Sequence, residues 1–289
     1  MRIALINSGI GLLAPAAALH RMRPDADLIL APDPDGMPWG PRTPDDIAAR
    51  ALLCARAALR YQPDIMIMAC NTGSVHALDA MRGEFEPAIP VIGTVPAIKP
   101  AAAAHRTVAI WATVATTASA YQRRLVAEFG GSAEATPVAC PGLADAVDAG
   151  DQAATAAAVA AAAGQTPAGC EAVVLGCTEY ELVADQITRA VPGAVTFGSA
   201  VAVAAQALRR IPGGVDSGLP ATTGPASGGR GSSGPASGGA RLGTVRVLLS
   251  GRPAALPPAA LRYAEGRLLA PLVVAPGDSE RVARSPVGG

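Results

Sequence analysis

The feature that most constrains this chain is an internal repeat of two apolar segments, each ending with a cysteine at the same place. The first copy, residues 65–72, carries Cys70, and the second copy, residues 172–179, carries Cys177 (177 − 70, or 107 positions apart). Two further pairs of strand-like segments repeat at an offset of 105 positions: residues 2–6 with 107–111, and residues 91–93 with 196–198. Three segments that repeat in the same order indicate a duplicated half. Because duplicated halves usually face each other across a cleft, the two cysteines are predicted to meet there from opposite sides.

Length and composition set the class of protein. At 289 residues the chain can form two domains with a sizeable core, and its 3% of aromatic residues leaves that core to Ala, Val, Leu and Ile. The 23 basic and 23 acidic residues balance without a dense basic run, which argues against nucleic acid or an anionic membrane as the main partner. The N-terminus shows no signal peptide pattern, and the Ala-rich segment 153–163 is too short to span a bilayer. A soluble, cytoplasmic protein is therefore predicted.

From residue 1 to about 212, short β-rich runs alternate with longer segments of helical period, which is typical of βαβ units in a parallel sheet. The predicted strands are residues 2–7, 27–31, 64–69, 90–93, 107–112, 136–139, 172–176 and 195–197. The predicted helices include residues 44–60, 74–83, 118–129, 153–163, 181–190 and 200–210. The pattern predicts an α/β fold of two pseudo-symmetric halves, each a doubly wound parallel sheet, with the active site in the cleft between them.

The composition changes after Ile211. Residues 213–240 consist mainly of Gly, Ser, Pro, Ala and Thr, and Gly-Pro-Ala-Ser-Gly-Gly occurs twice, so a flexible linker is predicted there. A strand is expected at 245–249, a helix at 258–268, a strand near 272–274 and a disordered tail over 276–289. The predicted domains are the first half at 1–98, with 199–212 and 242–275 packing on it, and the second half at 99–198.

Each repeated cysteine follows a predicted buried strand and precedes a predicted helix. The carboxyl ends of parallel strands meet at the ligand-binding crevice, and a nearby helix N-terminus is expected to favour the thiolate. Two thiols that face each other could remove a proton from one face of a carbon and return it to the other, one as base and one as acid. A buried free cysteine is more often a small apolar core residue, and Cys54, Cys140 and Cys170 are predicted to be residues of this kind.

The sequence lacks the motifs that commonly bind a cofactor or a metal. Lys99 is its one lysine, lies between Ile98 and Pro100, and has no phosphate-cradling glycine pattern for a pyridoxal cofactor nearby. The three histidines and five cysteines show no metal-ligand spacing, so no metal is predicted, and the cysteines are expected to be free thiols. The Gly9-x-Gly11 pair lacks the third glycine of a dinucleotide fingerprint. Cofactor-independent proton transfer is therefore predicted.

Several motifs resemble those of the aspartate/glutamate racemase superfamily, and most closely those of the glutamate racemases. The motifs are Asn-Ser-Gly-Ile-Gly at 7–11 (Asp-Ser-Gly-Ile-Gly in the family), Pro-Trp-Gly at 38–40 (Pro-Tyr-Gly in the family), Ala-Cys-Asn-Thr-Gly-Ser at 69–74, the stretch 89–101, Leu-Gly-Cys-Thr at 175–178 and the tail segment 247–253. The resemblance covers about residues 1–211 and 242–275, and the linker reads as an insertion. It implies the racemase fold, racemisation of a small acidic amino acid without a cofactor, supply of D-glutamate for peptidoglycan, and a homodimer.

Carried over position by position, the resemblance implies two catalytic thiols, Cys70 and Cys177, and two acidic catalytic residues near the substrate, Asp33 and Asp148. It also implies a set of substrate-binding residues: Asn7, Ser8, Pro38, Trp39, Gly40, Asn71, Thr72, Thr113, Thr116 and Thr178.

Two positions depart from the glutamate racemase pattern. The first-loop aspartate is replaced by Asn7, which keeps the shape but not the charge, and the histidine after Cys-Thr is replaced by Glu179. An ionised Glu179 would raise the pKa of the adjacent thiol, but it could also relay protons and is a further candidate catalytic residue. The alternatives left open are an aspartate racemase, another two-thiol isomerase or decarboxylase of a dicarboxylate or hydantoin, and a catalytically impaired homologue that acts as a binding protein.

Overall fold

The computed structural model describes residues 1–211 and 241–276. The predicted linker over residues 213–240 lies outside the described residues, as does the predicted disordered tail from residue 277 onward. Among the residues that are described, no helix is both long and apolar enough to cross a membrane.

The described residues form ten strands and thirteen α-helices. The strands are β1 (Arg2–Asn7), β2 (Asp27–Pro32), β3 (Ile65–Met68), β4 (Val91–Gly93), β5 (Thr107–Ala112), β6 (Glu134–Ala139), β7 (Ala172–Leu175), β8 (Val195–Phe197), β9 (Val245–Leu249) and β10 (Arg252–Ala254). The helices are α1 (Leu13–Met22), α2 (Pro44–Ala58), α3 (Asn71–His76), α4 (Leu78–Phe85), α5 (Ile98–Ala104), α6 (Val114–Ala118), α7 (Ala120–Phe129), α8 (Leu143–Ala149), α9 (Gln152–Gln165), α10 (Thr178–Glu181), α11 (Ala184–Ala190), α12 (Ala200–Arg210) and α13 (Ala264–Leu269). Short 3₁₀ helices cover Ile10–Leu12, Leu59–Tyr61, Pro258–Arg262 and Ala270–Leu272.

The strands form two sheets with the same central order. The first sheet runs β10-β9-β2-β1-β3-β4 and the second runs β6-β5-β7-β8, so β2-β1-β3-β4 and β6-β5-β7-β8 correspond strand by strand. All pairings are parallel except the β9–β10 hairpin. The predicted α/β fold with two doubly wound parallel sheets is confirmed, and the internal repeat of the sequence is the repeat of these four-stranded units.

Helix α2 shows how local sequence sets an element. Thr43 caps its N-terminus by accepting a hydrogen bond from the Asp46 backbone N–H, and Pro44 occupies the first helical position, where no N–H is needed. Its buried stripe is Ile47, Ala51, Cys54, Ala55 and Ala58, at helical spacing. This stripe packs against one face of the first sheet, in a core cluster shared with Ala4 and Ile6 of β1.

Several predicted elements differ in detail. The predicted helix 74–83 is two helices that meet at Ala77, and the predicted helix 118–129 is interrupted at Ser119, which caps α7 by accepting from Gln122 N. The predicted helix 181–190 is likewise split into α10 and α11. Helices α1, α5, α6 and α8 and strand β10 were not predicted, and the predicted helix 258–268 is a 3₁₀ helix followed by α13, with Tyr263 between them. The expected strand near 272–274 is reduced to a single bridge between Val245 and Val273.

The chain returns to the first sheet after the second half. Helix α12 packs on α1, and β9 pairs with β2 at the edge of the first sheet. Helix α13 also packs on α1, whereas Tyr263 just before it donates a hydrogen bond to the Val147 carbonyl in the second half. The largest core cluster contains side chains from both halves and from the C-terminal segment, so the two halves share one apolar core.

Candidate active site

A cavity of about 420 Å³ lies where the carboxyl ends of the two sheets face each other. Ser8 follows β1, Cys70 follows β3, Thr113 follows β5 and Cys177 follows β7, and all four line the cavity. In each half the strand order reverses between these two strands, which is where doubly wound sheets bind ligands. The volume is within the usual range for a small-molecule site.

Most of the predicted site residues meet in this cavity. Those in its wall are Ser8, Pro38, Trp39, Gly40, Cys70, Asn71, Thr72, Thr113, Thr116, Asp148, Cys177 and Glu179. Three others, Asn7, Asp33 and Thr178, are buried behind the wall and act on residues that line it.

Cys70 occupies the N-cap position of α3 and lines the cavity. Its Sγ accepts a hydrogen bond from Gly73 N at 3.4 Å and lies 3.9 Å from Ser8 Oγ. Burial, followed by the negative charge of Glu179, raises the pKa of this thiol to about 11. The expectation that the helix N-terminus favours the thiolate is therefore wrong for Cys70, because burial outweighs two favourable N–H contacts and a helix of six residues.

Cys177 occupies the equivalent N-cap position of α10. Its thiol donates a hydrogen bond to Glu179 Oε2, with 2.8 Å between Sγ and the oxygen. Burial comes first, then the negative charge of Glu179 and this hydrogen bond, and together they raise the pKa of Cys177 well above its ordinary value. The thiolate expectation is wrong here too, and both thiols of the free protein are protonated at neutral pH.

Glu179 is held in a buried chain of hydrogen bonds that crosses between the halves. Asn7 Nδ2 donates to Thr178 Oγ1 at 3.2 Å, and Thr178 Oγ1 donates to Glu179 Oε2 at 3.3 Å. Glu179 Oε1 is buried without a hydrogen-bond partner among the described residues. A Cβ at Gly11 would lie 2.4 Å from Thr178 Oγ1 and 2.6 Å from Glu179 Oε1, so glycine is required for this approach.

Asp148 projects from α8 toward the first half. Its Oδ1 accepts a hydrogen bond from Ile10 N at 2.8 Å, at the start of the helical segment that leads into α1. Burial, with the charge of Glu179 as the next cause, raises the pKa of Asp148 well above its usual range, so this carboxyl favours its protonated form. A Cβ at Gly9 would lie 2.2 Å from Asp148 Oδ1. The Gly9-x-Gly11 pair thus permits contact between the two halves.

Asp33 supports the wall from behind. Its fully buried carboxylate forms an ion pair with Arg50 and accepts hydrogen bonds from Trp39 Nε1 at 3.0 Å and Ser250 Oγ at 2.8 Å. Burial favours the protonated form, but the hydrogen bonds from Arg50, Trp39 and Ser250 outweigh it and hold the pKa of Asp33 below its ordinary value. All of the contacts of Asp33 are structural, and they fix Trp39 in the cavity wall.

Asn71 joins the two halves beside the thiols. Its Nδ2 donates to the Gly176 carbonyl at 2.6 Å, and its Oδ1 is buried without a partner in the described part of the chain. A free acceptor in the wall is suited to a substrate N–H group. Thr113 and Thr116 also line the cavity, where the Thr113 hydroxyl donates to Thr116 Oγ1 at 3.0 Å.

Part of the cavity wall was not predicted from the sequence. Cys140, a predicted core residue, is 2% exposed and its thiol donates a hydrogen bond to the Val138 carbonyl, yet it also lines the cavity. Burial raises the pKa of the Cys140 thiol to about 12. Pro141, Gly142 and Asp145 follow it in the wall. The available signal was position, because these residues follow β6 as the others follow their own strands.

Known proteins resemble this chain in sequence and in fold. The family model described as Asp/Glu/Hydantoin racemase matches residues 12–208. A glutamate racemase of Pseudomonas putida is 33% identical over 219 residues, covering 74% of this chain and 82% of that protein, and one of Herpetosiphon aurantiacus is 33% identical over 215 residues, covering 72% and 84%. The solved structure of Escherichia coli glutamate racemase in complex with L-glutamate and the activator UDP-MurNAc-Ala shares the fold at a TM-score of 0.70 and 23% identity, covering 90% of this chain and 91% of that chain. The resemblance noted in the sequence is confirmed: this chain belongs to the Asp/Glu/Hydantoin racemase family.

Proposed function

We propose that this protein is a glutamate racemase that interconverts L- and D-glutamate with two thiols and no cofactor. One observation carries the proposal: equivalent strand ends of the two halves bring Cys70 and Cys177 into one cavity. Two protein groups on different walls are what a two-base transfer at Cα requires. The glutamate racemases that are 33% identical over most of their length support glutamate as the substrate.

The proposed transfer begins at Cys177 and Glu179. Glu179 Oε2 takes the thiol proton, and the resulting Cys177 thiolate removes the α-proton of the bound amino acid. The electron pair left on Cα is delocalised into the substrate α-carboxylate. Cys70, protonated at neutral pH, donates its proton to the opposite face and becomes the thiolate. The reverse reaction starts from that state, so protons and electrons balance in both directions.

The same residues that line the cavity are proposed to hold the substrate. The Thr113 and Thr116 hydroxyls, with Thr72 and Ser8, would bind carboxylate oxygens, and Asn71 Oδ1 would accept from the ammonium group. Burial raises the pKa of Asp148, and its neutral form would add no charge to a site that must accept a dicarboxylate. In this role the protein would act as a cytoplasmic homodimer that supplies D-glutamate for peptidoglycan synthesis.

One observation favours a second candidate, racemisation of aspartate or of another dicarboxylate. Glu179 places a carboxylate on the second thiol, where the glutamate racemase pattern has histidine, and it borders the cavity. An added negative charge in the wall disfavours a substrate whose second carboxylate reaches that point. A shorter acid would keep its second carboxylate farther from Glu179.

Exchange of the α-hydrogen in D₂O tests the proposal. The purified protein, without added cofactor, should exchange and racemise L- and D-glutamate faster than L- and D-aspartate. Cys70→Ala and Cys177→Ala should each abolish racemisation with folding intact, whereas Cys170→Ala, a buried thiol outside the cavity, should keep it. Near-normal turnover in Cys70→Ala would rule out the two-thiol mechanism. Faster turnover of aspartate would select the second candidate, and tight binding of glutamate without exchange would indicate a binding protein.

A further inference from the structure

The C-terminal segment, residues 241–276, contacts residues that lie behind the cavity wall in each half: Asp33 in the first half and Val147 in the second. It is separated along the chain from every residue of the cavity, yet β9 extends the first sheet beside β2, and α13 packs on α1. Two of its side-chain hydroxyl groups make buried hydrogen bonds, one in each half. We propose that this segment is a clamp across the two halves, in which Ser250 and Tyr263 are positioning residues for the proposed racemisation.

The first arm of the clamp is Ser250, which follows β9. Its hydroxyl donates to Asp33 Oδ1 at 2.8 Å and accepts from Asp35 N at 3.1 Å, while its own N–H bonds to the Pro32 carbonyl. Asp33 in turn holds the indole N–H of Trp39, which is 1% exposed and lines the cavity. Ser250 therefore acts on the wall through one intermediate carboxylate.

The backbone at this point supports a dedicated role. Ser250 has a φ of 45°, in the left-handed region that a non-glycine residue rarely adopts, and Gly251 follows at 81°. This conformation ends β9 and directs the chain into β10, with the serine side chain facing the Asp33 carboxylate. The strain is offset by the two hydrogen bonds that the serine hydroxyl makes.

The second arm is Tyr263, which is 4% exposed. Its hydroxyl donates to the Val147 carbonyl at 2.7 Å, in the last turn of α8. The next residue, Asp148, lines the cavity and bonds to Ile10 N across the junction. Just beyond it, a Cβ at Gly150 would lie 3.2 Å from Ala259 Cα, so the clamp packs closely on the end of this helix. Tyr263 therefore sets where α8 places Asp148.

The two arms act on different walls and predict different effects. Loss of the Ser250 hydroxyl frees Trp39 in the wall that the substrate contacts, so the effect is expected in KM. Loss of the Tyr263 hydroxyl shifts Asp148, whose carboxyl interacts electrostatically with Glu179, the hydrogen-bond partner of the second thiol, so the effect is expected in kcat and its pH profile. A hydrogen bond of ordinary net strength corresponds to about 2- to 10-fold in either constant.

The experiment compares Ser250→Ala and Tyr263→Phe in the full chain. Ser250→Ala removes the hydroxyl group with the smallest change in side-chain size. Trp39 emission and acrylamide quenching, recorded in a Trp111→Phe background, report on the first wall without requiring turnover. Ser132→Ala, an exposed serine, and Tyr61→Phe, a tyrosine that lies under Arg246 rather than at the cavity, are the matched controls.

Ser250→Ala should shift Trp39 emission to longer wavelength, increase quenching and raise KM about 2- to 10-fold, with kcat nearly unchanged. Tyr263→Phe should leave Trp39 emission unchanged, lower kcat by a similar factor and alter its pH profile, and both controls should match the parent. The two-armed clamp would be overturned if Ser250→Ala kept the Trp39 emission and KM of the parent. It would also be overturned if Tyr263→Phe kept the kcat of the parent and its dependence on pH. The kinetic readouts rest on the proposed function. If no acid is racemised, that function fails by itself, and the Trp39 emission still decides the Ser250 arm.

Discussion

Glu179 is the residue whose replacement separates a proton relay from a simple charged neighbour. Glu179→Gln keeps the size of the side chain and removes its charge. Glu179 Oε2 lies 2.8 Å from Cys177 Sγ, and its charge is a cause of the raised pKa of both Cys177 and Cys70. The substitution should therefore lower the pKa of both thiols, and of Cys177 more.

The size of the effect follows from the geometry. Two unit charges about 4 Å apart at an effective dielectric constant of about 20 repel by about 4 kcal/mol, which corresponds to a thiolate population up to about 1000-fold larger at neutral pH. A less basic thiolate is also a weaker nucleophile, which removes nearly half of the gain on a logarithmic scale. We therefore expect alkylation of Cys177 to accelerate by up to roughly 30- to 60-fold at neutral pH.

Racemisation should move in the opposite direction. Without a group that accepts the thiol proton and later returns it, the step at Cys177 loses its acid–base partner, which costs about 10²- to 10⁴-fold in kcat. A merely charged neighbour would behave differently, because its removal would release a more reactive thiolate and raise the rate. Faster alkylation of Cys177 together with slower racemisation would therefore identify Glu179 as a proton relay.

The assay follows iodoacetamide labelling across pH by peptide mass spectrometry, with racemisation measured on the same samples. Glu181→Gln is the matched control, because Glu181 lies in the same helix but accepts its hydrogen bonds from Ser199 and Ala200. Its labelling profile should match that of the parent. Unchanged or slower labelling of Cys177 in Glu179→Gln, or racemisation within about 3-fold of the parent, would refute the reasoning.

Three further predictions concern the buried contacts around the site. Gly11→Ala should lower both activity and melting temperature, because the added Cβ would lie 2.4 Å from Thr178 Oγ1. Gly83→Ala is the control: its Cβ would enter open space on α4, and the variant should be more stable by about 0.5–1 kcal/mol. Equal melting temperatures of the two variants would contradict this prediction. The pKa of Asp148 is raised in the folded state, so its contribution to stability is complete at low pH and is lost as the pH rises through that pKa. The Asp148→Asn variant should therefore gain stability relative to the parent as the pH is raised from 4 to 8. Melting temperatures of the two proteins that change in parallel over this range would argue against the prediction. The pKa of Asp33 is lowered in the folded state, so its contribution to stability is present above the unfolded-state pKa and is lost as the pH falls. Asp33→Asn should cost about 3 kcal/mol of stability at neutral pH, lower the melting temperature by about 6–12 °C and make stability less dependent on acid pH. A loss of less than about 1 kcal/mol would contradict the stabilising role of the buried ion pair.

The strands and the meeting of the thiols could be predicted because they rest on local pattern and duplication. Strands β1, β5 and β8 begin and end where the sequence places them, since buried parallel strands are short apolar runs bounded by polar residues. Helix α1 was missed because it follows two glycines and contains Pro15, which the first turn of a helix tolerates. The break at Ser119 depends on a side-chain cap that a helical period does not reveal.

The electrostatics of the site could not be predicted, because they are tertiary. A helix N-terminus after each cysteine pointed to thiolates, but the folded protein buries both thiols, and the charge of Glu179 acts on both of them. Asp33 lies five residues before Pro38, and this spacing does not reveal that its side chain faces Arg50 and Ser250 instead of the cavity. Ser250 is 217 residues from Asp33, beyond the reach of any local pattern.

The two departures from the glutamate racemase pattern are coupled through a single hydroxyl group. Thr178 has one hydroxyl hydrogen and donates it to Glu179 Oε2, so toward residue 7 it can only accept. Asn7 supplies the required N–H, at 3.2 Å, whereas an ionised aspartate there has none and would add a second buried negative charge near Glu179. With histidine at position 179, the Thr178 hydroxyl would be free to donate to an aspartate at position 7. Asn7→Asp alone should therefore reduce activity and stability, and Glu179→His should restore both in the double variant. Additive losses in the two single variants and their combination would show that the positions are independent.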